Sequence, residues 1–556
     1  MIIGLYYHPD AYTTSAPKLM GRNAAGESFL KGLLKHGRFE RMVVQINNQA
    51  EQDLFYSVSD AFRPRKDFEF IYAAQIARFA SVDVLYLPGP GIGPNAYQRA
   101  SVQQLYQCSG WSLCGVTHTT SSAWAMDAIT GLITAPATDY DAVICTSQAV
   151  KTNVLRLLEL QAEDLKHRLG AVKTDLPEMP VIPLGVHSDA FAPSADRRLA
   201  SRAELGIGAS DIVVLYVGRL SFHAKAHPLA MYLALNKAQK RAGLSGRVVM
   251  IECGWFANQH IENAYASASS LACPDVRVIR LDGRVAEKRT LAWSSADIFT
   301  SFSDNIQETF GITPIEALSA GLPSVVSDWD GYRDTIRDGQ DGFRIATACP
   351  PAGLGADYAL RHALEIDTYD MYCGYTSSLV SVDVERAADA FAQLFMSPAL
   401  RASMSQSALA RAKTFDWSTV IGQYEELWEE ITARRNRKAN GMSTPALSPV
   451  PWPARSDPFD LFAHYATEIL TDDTVVELAS PGDETHPITL AQLRQLAMVS
   501  YTQKFNPPEE LCESILALLA QGPAKIGALV ERLNRPRPAV VKAVAWMMKF
   551  GVCERS

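Results

Sequence analysis

Short apolar runs alternate with longer amphipathic stretches along the first three quarters of this chain of 556 residues. A first series of runs predicts buried strands at Ile2–Tyr7, Met42–Ile46, Val82–Leu87, Leu113–Thr117 and Ala142–Thr146, with helices such as Ala24–His36 and Asp67–Phe79 between them. A second series predicts strands at Ile212–Val217, Val248–Glu252, Val276–Leu281, Ile298–Ser301 and Ser324–Ser327. Because parallel strands need crossover helices, the pattern predicts an α/β fold with two doubly wound parallel sheets.

The same pattern predicts how the chain is divided into domains. Ligands of parallel sheets bind beyond the carboxyl ends of the strands, so two facing sheets would share one cleft. We predict doubly wound domains over residues 1–185 and 186–415, a helix over 416–436 capped by Asp416 or Ser418, and a proline-rich linker over 437–458. Residues 459–556 are predicted to form a small helical accessory domain, with helices at Pro508–Gln521, Lys525–Leu533 and Pro538–Lys549.

Composition narrows the classes of function. The formal net charge is −8, which argues against a general nucleic-acid binder because such proteins carry a basic excess. The sequence has no run of eighteen apolar residues that would predict a transmembrane helix, and its start lacks the features of a signal peptide. The nine cysteines form no C-x-x-C pair, which favours reduced thiols and a cytoplasmic protein; peripheral contact with a membrane is left open.

Two glutamates mark the segment with the most chemistry. Glu308 and Glu316 flank the point where a loop is predicted to become a helix. Thr313 and Pro314 fit an N-cap and a first helical residue, and Glu316 fits the third position of a capping box. One interpretation is therefore purely structural, with Glu316 as a capping residue and Glu308 as a solvated loop acid.

The residues just before this helix favour a second interpretation. The backbone amides of Phe310, Gly311 and Ile312 would point at any group that lies over the helix end. Unpaired N–H groups and the positive end of the helix dipole make such an end an anion site. An anion site between two carboxylates suits a ligand that joins a diphosphate to hydroxyl-rich rings, as a nucleotide sugar does.

Two cations follow the first strand of the second series. Gly218 and Arg219 come directly after Val217, and Lys225 lies six positions beyond the arginine. Arginine offers a planar fork of donors and lysine a point charge, so together they can hold two phosphates. Ordinary loop charges are the alternative interpretation.

These motifs resemble those of one enzyme family. The segment from Glu308 to Pro323, ETFGITPIEALSAGLP, resembles the E-x7-E region of retaining glycosyltransferases of family 4, which have the GT-B fold. Gly218-Arg219-Leu220 with Lys225 is similar to a second motif of that family, and Val181–His187 is similar to its interdomain linker. The resemblance implies two Rossmann-like domains that face a cleft, with the helix after Asp416 crossing back to the first domain.

The resemblance also implies a function and roles for residues. A sugar would pass from a nucleoside diphosphate sugar to a hydroxyl of a polysaccharide, a lipid-linked glycan or a protein, with retention at the anomeric carbon. Glu308 would orient sugar hydroxyls, and Glu316 would hold the ribose. Arg219 and Lys225 would stabilise the departing diphosphate. His118, at a strand end, would contact the donor sugar, although a lone histidine there is more often a packed residue.

Further donor-binding candidates are carried over by position. Gly21 and Gly26 lie between the first strand and its helix, where the family has a glycine-rich loop over the phosphates. Asp304 and Asn305 would bind sugar hydroxyls or shape their loop. Asp330 lies where the family places backbone amides near the donor.

The sequence predicts no metal site and no cofactor besides the donor. Asp139-Tyr140-Asp141 matches D-x-D by letter, but it precedes a strand instead of following one. Two other functions stay open: a nucleotide-sugar epimerase or hydrolase of the same fold, and a scaffold that senses a nucleotide sugar. The phrase Met547–Val552 looks like the end of a winged-helix module. Because its basic excess is too small for DNA, we expect this module to contact proteins, through homo-oligomerisation, a partner or the acceptor.

Overall fold

A computed structural model describes residues 1–14, 21–172, 175–440, 450–480 and 489–556. Its internal contacts divide the chain into a first unit, Met1–Trp452, and a second unit, Pro453–Ser556. The predicted α/β fold with two parallel sheets is confirmed in the first unit, where each sheet has six strands.

The strands of the first unit fall into two parallel sheets and one short antiparallel pair. Those of the first sheet are β1 Ile2–Tyr6, β2 Arg41–Ile46, β3 Phe68–Tyr72, β4 Val84–Tyr86, β5 Ser112–Val116 and β6 Ala142–Ile144. Those of the second sheet are β7 Ile212–Val217, β8 Val248–Gly254, β9 Arg277–Asp282, β10 Ile298–Ser301, β11 Ser324–Ser327 and β12 Gly342–Ile345. The antiparallel pair is β13 Thr347–Ala348 and β14 Ser381–Val382.

Helices connect these strands and cover both faces of each sheet. In the first half of the unit they are α1 Pro9–Tyr12, α2 Gly21–His36, α3 Gln49–Ser59, α4 Gly93–Tyr106, α5 Ala123–Thr130 and α6 Gln148–Leu169. In the second half they are α7 Ala195–Glu204, α8 Leu229–Ala242, α9 Gln259–Ala272, α10 Ala286–Ser295, α11 Ile312–Ser319, α12 Tyr332–Thr335, α13 Ala356–Ala363, α14 Tyr369–Ser377, α15 Val384–Met396, α16 Pro398–Ala412 and α17 Trp417–Asn440.

The two sheets share one strand order. The first runs β3-β2-β1-β4-β5-β6 and the second runs β12-β11-β10-β7-β8-β9, so each sheet reverses its direction of winding beside its own first strand. The crossover helices then leave from opposite faces and open a crevice beyond the strand ends. In the second sheet this reversal lies between β7 and β10, whose following loops carry Arg219 and Glu308.

The sequence interpretation missed one edge strand in each sheet. The predicted helix Asp67–Phe79 is wrong, because β3 occupies Phe68–Tyr72 and a 3-10 helix follows over Ala73–Ser81. β3 is an edge strand whose Glu69 pairs with Arg41 and Arg78, so it lacks the continuous apolar run of a central strand. The other missed strand, β12, is short and follows a turn.

The last helix of the first unit joins the two halves. α17 starts beside the second sheet and packs on the first, where Trp417, Tyr424 and Trp428 enter the core around β1, β4 and β5. Its first residue, Trp417, fills space that two glycines leave free. A Cβ added at Gly32 or Gly185 would lie 2.6 or 2.5 Å from the indole. The predicted linker over 437–458 includes residues 441–449, which lie outside the described residues.

The two chain crossings between the halves lie side by side. The N–H of Val186 donates to the carbonyl of Phe415 at 2.9 Å, and the N–H of Trp417 donates to the carbonyl of Val186 at 3.1 Å. The Asp416 carboxylate accepts from the hydroxyl of Ser188 at 2.5 Å and from the N–H of Ser418 at 2.9 Å. These bonds lower the pKa of Asp416 to about 2, although burial acts in the opposite direction.

The second unit combines short helices with a small antiparallel sheet. The helices are α18 Pro458–Leu461, α19 Leu490–Gln495, α20 Ala497–Ser500, α21 Glu509–Leu519, α22 Ile526–Leu533 and α23 Arg537–Lys549. The strands β15 Val475–Leu478, β16 Ala524–Lys525 and β17 Cys553–Arg555 are ordered β16-β15-β17. Three helices thus lie close to the bounds predicted for this region, and the winged-helix assignment stays a prediction.

Replacing the tryptophan between the two glycines should destabilise the first unit strongly. We expect Trp417→Ala to lower the free energy of unfolding by about 3–5 kcal/mol, because it leaves a large cavity in a closely packed core. The measurement is urea denaturation followed by far-ultraviolet circular dichroism. Trp124 is 66% exposed, so Trp124→Ala is the matched control and should change stability little. Equal losses in both variants would contradict the packing role of Trp417.

Candidate active site

The site lies where the winding of the second sheet reverses. Gly218 follows β7 with a φ of 155°, and Arg219 comes next at the carboxyl end of the strand. The guanidinium of Arg219 donates to the carbonyl of Ala224 at 2.7 Å and to the side-chain oxygen of Gln307 at 2.9 Å. Arg219 therefore ties the loop after β7 to the loop after β10.

A close ion pair adds a second tie between these loops. The Lys225 ammonium lies 2.5 Å from a carboxylate oxygen of Glu308. The Lys225 side chain is 28% exposed and that of Glu308 is 8% exposed, so the ammonium is the more accessible partner. An ammonium has three N–H donors, which leaves two of them for another anion. The sequence interpretation predicted both residues in one site, but not their direct contact.

The start of α11 differs from the prediction. Gly311 is the N-cap, with a φ of +84°, and no side chain caps the helix. Thr313 and Pro314 are therefore already helical residues, and the predicted capping box with Glu316 is wrong. The physical reason is Gly311 itself. It adopts a left-handed conformation, and the Tyr332 ring lies 2.2 Å from where a Cβ would be.

The uncapped end of α11 leaves backbone donors available beside the ion pair. Phe310 is buried against Phe415, which anchors the chain just before the helix. The N–H groups of the first helical turn, at Ile312 and Thr313, have no intrahelical acceptor. With Arg219 and Lys225 nearby in the fold, these donors form a positive region at the end of the sheet.

Glu316 lies farther along α11 and lines a different cavity from Glu308. It borders a cavity of about 490 Å³ between α10 and α11, here called the α10–α11 cavity, together with Val217, Arg289 and Trp293. Burial raises the pKa of Glu316 to about 7, and Arg289 opposes part of that rise. Val217 directly precedes Gly218, so this cavity begins at the end of β7.

Glu308 lines a second cavity, of about 380 Å³, here called the cleft cavity. Its wall includes Thr120 and Asn153 from the first half, and Trp329 and Asp330 from the second. The roles that the resemblance implies would gather Arg219, Lys225, Glu308 and Glu316 around one ligand, but the two glutamates line different cavities. Arg219, Lys225 and Glu308 are joined by contacts between their loops, while Glu316 faces the neighbouring cavity.

The first half contacts the loop of Glu308 directly. The Thr309 hydroxyl donates to the carbonyl of His118 at 3.1 Å, and the Ser147 hydroxyl donates to the carbonyl of Thr309 at 2.8 Å. Burial, and to a smaller extent the charge of Arg22, lowers the pKa of His118 to about 4. At neutral pH the imidazole is therefore uncharged, and it can take part in hydrogen bonds without adding positive charge.

Part of this chain is similar in sequence to known proteins. Residues 198–352 match the family model described as glycosyl transferases group 1. The D-inositol 3-phosphate glycosyltransferase of Streptomyces scabiei is 26% identical over 279 residues, which cover 49% of this chain and 53% of the relative. Its counterpart in Corynebacterium glutamicum is 25% identical over 298 residues, covering 53% and 61%. The chain thus spans about half to three fifths of the length of these relatives.

A solved structure identifies the fold. The Anabaena protein HepE, crystallised in complex with UDP, matches 77% of this chain over 99% of its own, with a TM-score of 0.50 and 16% sequence identity. This chain has the GT-B fold. The family-model match spans all of the second sheet, β7–β12, and it includes Arg219, Lys225, Glu308 and Glu316.

Two predicted sugar-binding residues mainly shape the GT-B loop after β10. Asn305 is fully buried, donates to the carbonyl of His223 at 3.1 Å and accepts from the N–H of Gln307 at 2.9 Å. Asp304 accepts from the N–H of His227 at 3.3 Å, and burial raises its pKa to about 7. Their contacts favour the alternative that both residues hold the loop in shape.

The predicted glycine-rich loop in the first half is wrong. Gly21 begins α2, and Gly26 lies inside that helix. A Cβ added at Gly26 would lie 1.9 Å from the carbonyl oxygen of Ala11, so this glycine lets α1 and α2 approach each other. Residues 15–20, which precede α2 in the sequence, lie outside the described residues.

Three residues of the site were missed from the sequence. Gln307 holds Arg219, Arg289 faces Glu316, and Ser147 reaches across to Thr309. Ser147 could have been found, because it follows the predicted strand Ala142–Thr146 at its carboxyl end. Gln307 directly precedes Glu308, whereas Arg289 lies in a helical stretch with no distinguishing motif.

No group of three or more His, Cys, Asp or Glu side chains in the described part of the chain is arranged to hold a metal. In Asp139-Tyr140-Asp141, the Asp141 carboxylate is buried and accepts from Arg99 at 2.8 Å, and Asp139 pairs with Lys438 at 2.6 Å. These aspartates are structural. None of the described helices is long and apolar enough to span a membrane.

Removing the Glu316 carboxylate should change how stability depends on pH. Its pKa rises from an ordinary value of 4.5 to about 7 on folding, so the folded protein holds this proton more tightly than the unfolded chain. The contribution of Glu316 to the free energy of unfolding therefore falls as the pH rises from 4.5 to 7. We expect Glu316→Gln to stabilise the protein by about 1–3 kcal/mol at pH 8 and hardly at all near pH 4.5.

Urea denaturation at the two pH values measures this difference. Glu429→Gln, at an exposed carboxylate on α17, controls for the loss of one negative charge. A stability gain of the same size at both pH values would contradict the pKa of Glu316 as its cause.

Proposed function

We propose that this protein is a metal-independent, retaining glycosyltransferase of family 4. It transfers a sugar from a nucleoside diphosphate sugar to an acceptor hydroxyl. The proposal rests on one observation. Arg219 is hydrogen-bonded to Gln307, and Lys225 is paired with Glu308. Both contacts lie beside the uncapped start of α11, where the second sheet reverses its direction of winding. Ligands of doubly wound sheets bind at this position.

The donor diphosphate is the group that this positive region suits. The two cations and the N–H groups of α11 provide donors without a metal ion. As the bond to the anomeric carbon breaks, negative charge develops on the departing diphosphate. Donors already held in place stabilise that charge at little reorganisation cost. Arg219 is held in this way by Ala224 and Gln307.

The α10–α11 cavity suits the nucleoside. Its volume of about 490 Å³ lies in the range of ordinary small-molecule pockets, which is about 300–1,000 Å³. Glu316 supplies a carboxylate for the ribose hydroxyls, and Trp293 and Val217 supply apolar wall. Glu308, bound to Lys225 next to the diphosphate position, then orients the hydroxyls of the sugar.

Retention follows from attack on the face that the diphosphate leaves. The acceptor oxygen bonds to the anomeric carbon, the carbon–oxygen bond to the diphosphate breaks, and the acceptor proton passes to the departing phosphate. No carboxylate has to form a covalent intermediate, unlike in retaining glycosidases with paired carboxylates. The neutral His118 lies at the loop of Glu308 and can contact the donor sugar without opposing the positive region.

The second unit is proposed to contact protein partners. Several of its large side chains are exposed, among them Phe459, Tyr465, Tyr501 and Phe505. Exposed aromatic residues are typical of interaction surfaces. A partner protein, a second copy of the chain or the acceptor would bind to this unit. Peripheral contact of the protein with a membrane is a separate proposal.

Incubation with a panel of nucleotide sugars tests the proposed function. UDP-, GDP- and ADP-glucose would be supplied with EDTA, and free nucleotide and sugar products would be measured. A transferase releases nucleotide faster when an acceptor is added, and nuclear magnetic resonance shows the anomer formed. Conversion of the donor sugar without an acceptor would indicate an epimerase or hydrolase. Tight nucleotide binding without turnover would indicate a sensor.

Loss of either cation should slow the transfer severely. We expect Arg219→Ala and Lys225→Ala each to lower kcat by about 100-fold or more, because each removes a donor to the departing diphosphate. Arg219→Lys should recover only part of the rate, since it keeps the charge and loses the fork. Lys240 is an exposed cation on α8, and Lys240→Ala is the control. Near-normal turnover in both alanine variants would reject the assignment.

A further inference from the structure

The cleft cavity differs from the α10–α11 cavity because both halves of the first unit build it. The first half contributes Thr120, Ser121 and Asn153, and the second half contributes Glu308, Trp329 and Tyr372. Its volume of about 380 Å³ is sufficient for a small ring compound. Glu308 contacts Lys225 with one oxygen while its side chain borders this cavity. The cavity therefore lies directly beside the position proposed for sugar transfer.

Asp330 is the unusual residue in the wall of this cavity. Its φ is +46°, a left-handed conformation that glycine adopts freely and that Asp and Asn adopt more readily than other residues. The Ser147 hydroxyl, from the opposite half, lies 3.3 Å from an oxygen of its carboxyl group. A glycine would fit this backbone without strain, so the backbone does not require the carboxylate.

The charged side chains in the wall of the cavity have partners. Glu308 pairs with Lys225, and the cation in the wall, Arg333, is engaged by Asp328, with 3.3 Å to its carbonyl and 3.5 Å to its carboxylate. Burial, and to a smaller extent the charge of Glu308, raises the pKa of Asp330 to about 8, so this carboxyl group is mostly protonated at neutral pH and can both donate and accept hydrogen bonds. Hydroxyl groups therefore suit this cavity better than phosphates do.

Aromatic side chains add a second preference. Trp329 and Tyr372 both line the cavity. The Trp329 indole donates to the carbonyl of Asn305 at 3.1 Å, and His362 stacks on the Tyr372 ring with centroids 4.5 Å apart. Rings held in this way offer fixed apolar faces, while Asn153, Thr120 and Ser121 offer donors and acceptors. This mixture suits a polyhydroxylated ring, which has C–H faces and a rim of hydroxyls.

We propose that the cleft cavity receives the acceptor, that the acceptor presents an uncharged polyhydroxylated ring, and that Asp330 accepts a hydrogen bond from one of its hydroxyls. The inference rests on the proposed transferase function and names the substrate class of its second site. Asp330 orients the ring and takes no proton in the reaction. The attacking hydroxyl oxygen bonds to the anomeric carbon, and its proton leaves with the diphosphate.

A panel of matched compounds tests the acceptor class. Myo-inositol and glucose are the neutral probes, and D-inositol 3-phosphate and glucose 6-phosphate are their charged counterparts. The donor is the nucleotide sugar that the panel of UDP-, GDP- and ADP-glucose identifies. With this donor, we expect a neutral probe to speed nucleotide release and to appear in a glycosylated product. The inference is overturned if the protein glycosylates only the phosphorylated probes, or if it glycosylates neither of the neutral ones. Failure to bind or consume any nucleotide sugar would instead reject the transferase function itself.

Variants at Asp330 then test the residue. We expect Asp330→Gly, which removes the carboxyl group, to raise the KM for the neutral acceptor by at least about tenfold. Asp330→Asn keeps an oxygen that accepts a hydrogen bond and N–H groups that donate, so it should raise this KM less. Asp330→Gly should keep or raise the melting temperature, because glycine relieves the left-handed backbone. A purely structural role of the carboxylate would instead lower it.

Asp334 supplies the matched control. Its carboxylate accepts from the N–H of Gln148 across the cleft at 2.7 Å, yet it does not line the cavity. Asp334→Asn should leave the acceptor KM unchanged. An equal rise of the acceptor KM in Asp334→Asn and Asp330→Gly would show that Asp330 only joins the halves. A rise of the donor KM larger than that of the acceptor KM in Asp330→Gly would place the donor sugar in this cavity. Either result overturns the inference.

Discussion

Two hydrogen bonds at Thr309 set the alignment on which the rest of the site depends. Its hydroxyl donates to the carbonyl of His118 and its carbonyl accepts from Ser147, so both bonds cross from one sheet to the other. Glu308 directly precedes Thr309, and it is in turn paired with Lys225. These contacts fix the first half relative to Glu308 and Lys225 at the end of the second sheet. A site built from two halves needs such a contact, because neither half alone fixes the distance between groups that come from both.

Much of the fold could be predicted from the sequence for a physical reason. Central strands of a parallel sheet are covered on both faces, so β1, β7 and β8 appear as continuous apolar runs between helices. The edge strands carry less of this signal. β3 has a glutamate that pairs with arginines at the surface, and it was mistaken for part of a helix.

The candidate site was predictable in its residues more than in its geometry. The eight-residue spacing of Glu308 and Glu316 and the pair Arg219 and Lys225 were evident in the sequence. The contact of Lys225 with Glu308 joins positions 83 residues apart, which no local pattern indicates. The start of α11 also depends on a distant group, since the Tyr332 ring lies against Gly311. Residue types indicate the chemistry, whereas partners from separate strands decide which cavity each residue faces.

The paired chain crossings limit how the two halves can move. Val186 and the segment Phe415 to Trp417 run alongside each other and exchange backbone hydrogen bonds. Two connections this close together form one hinge. Rotation about an axis that passes through both of them is the motion that strains them least. Such a rotation opens the crevice at the side away from the hinge, while Trp417 stays between Gly32 and Gly185 as the pivot. Opening and closing of the crevice would then follow one angular coordinate.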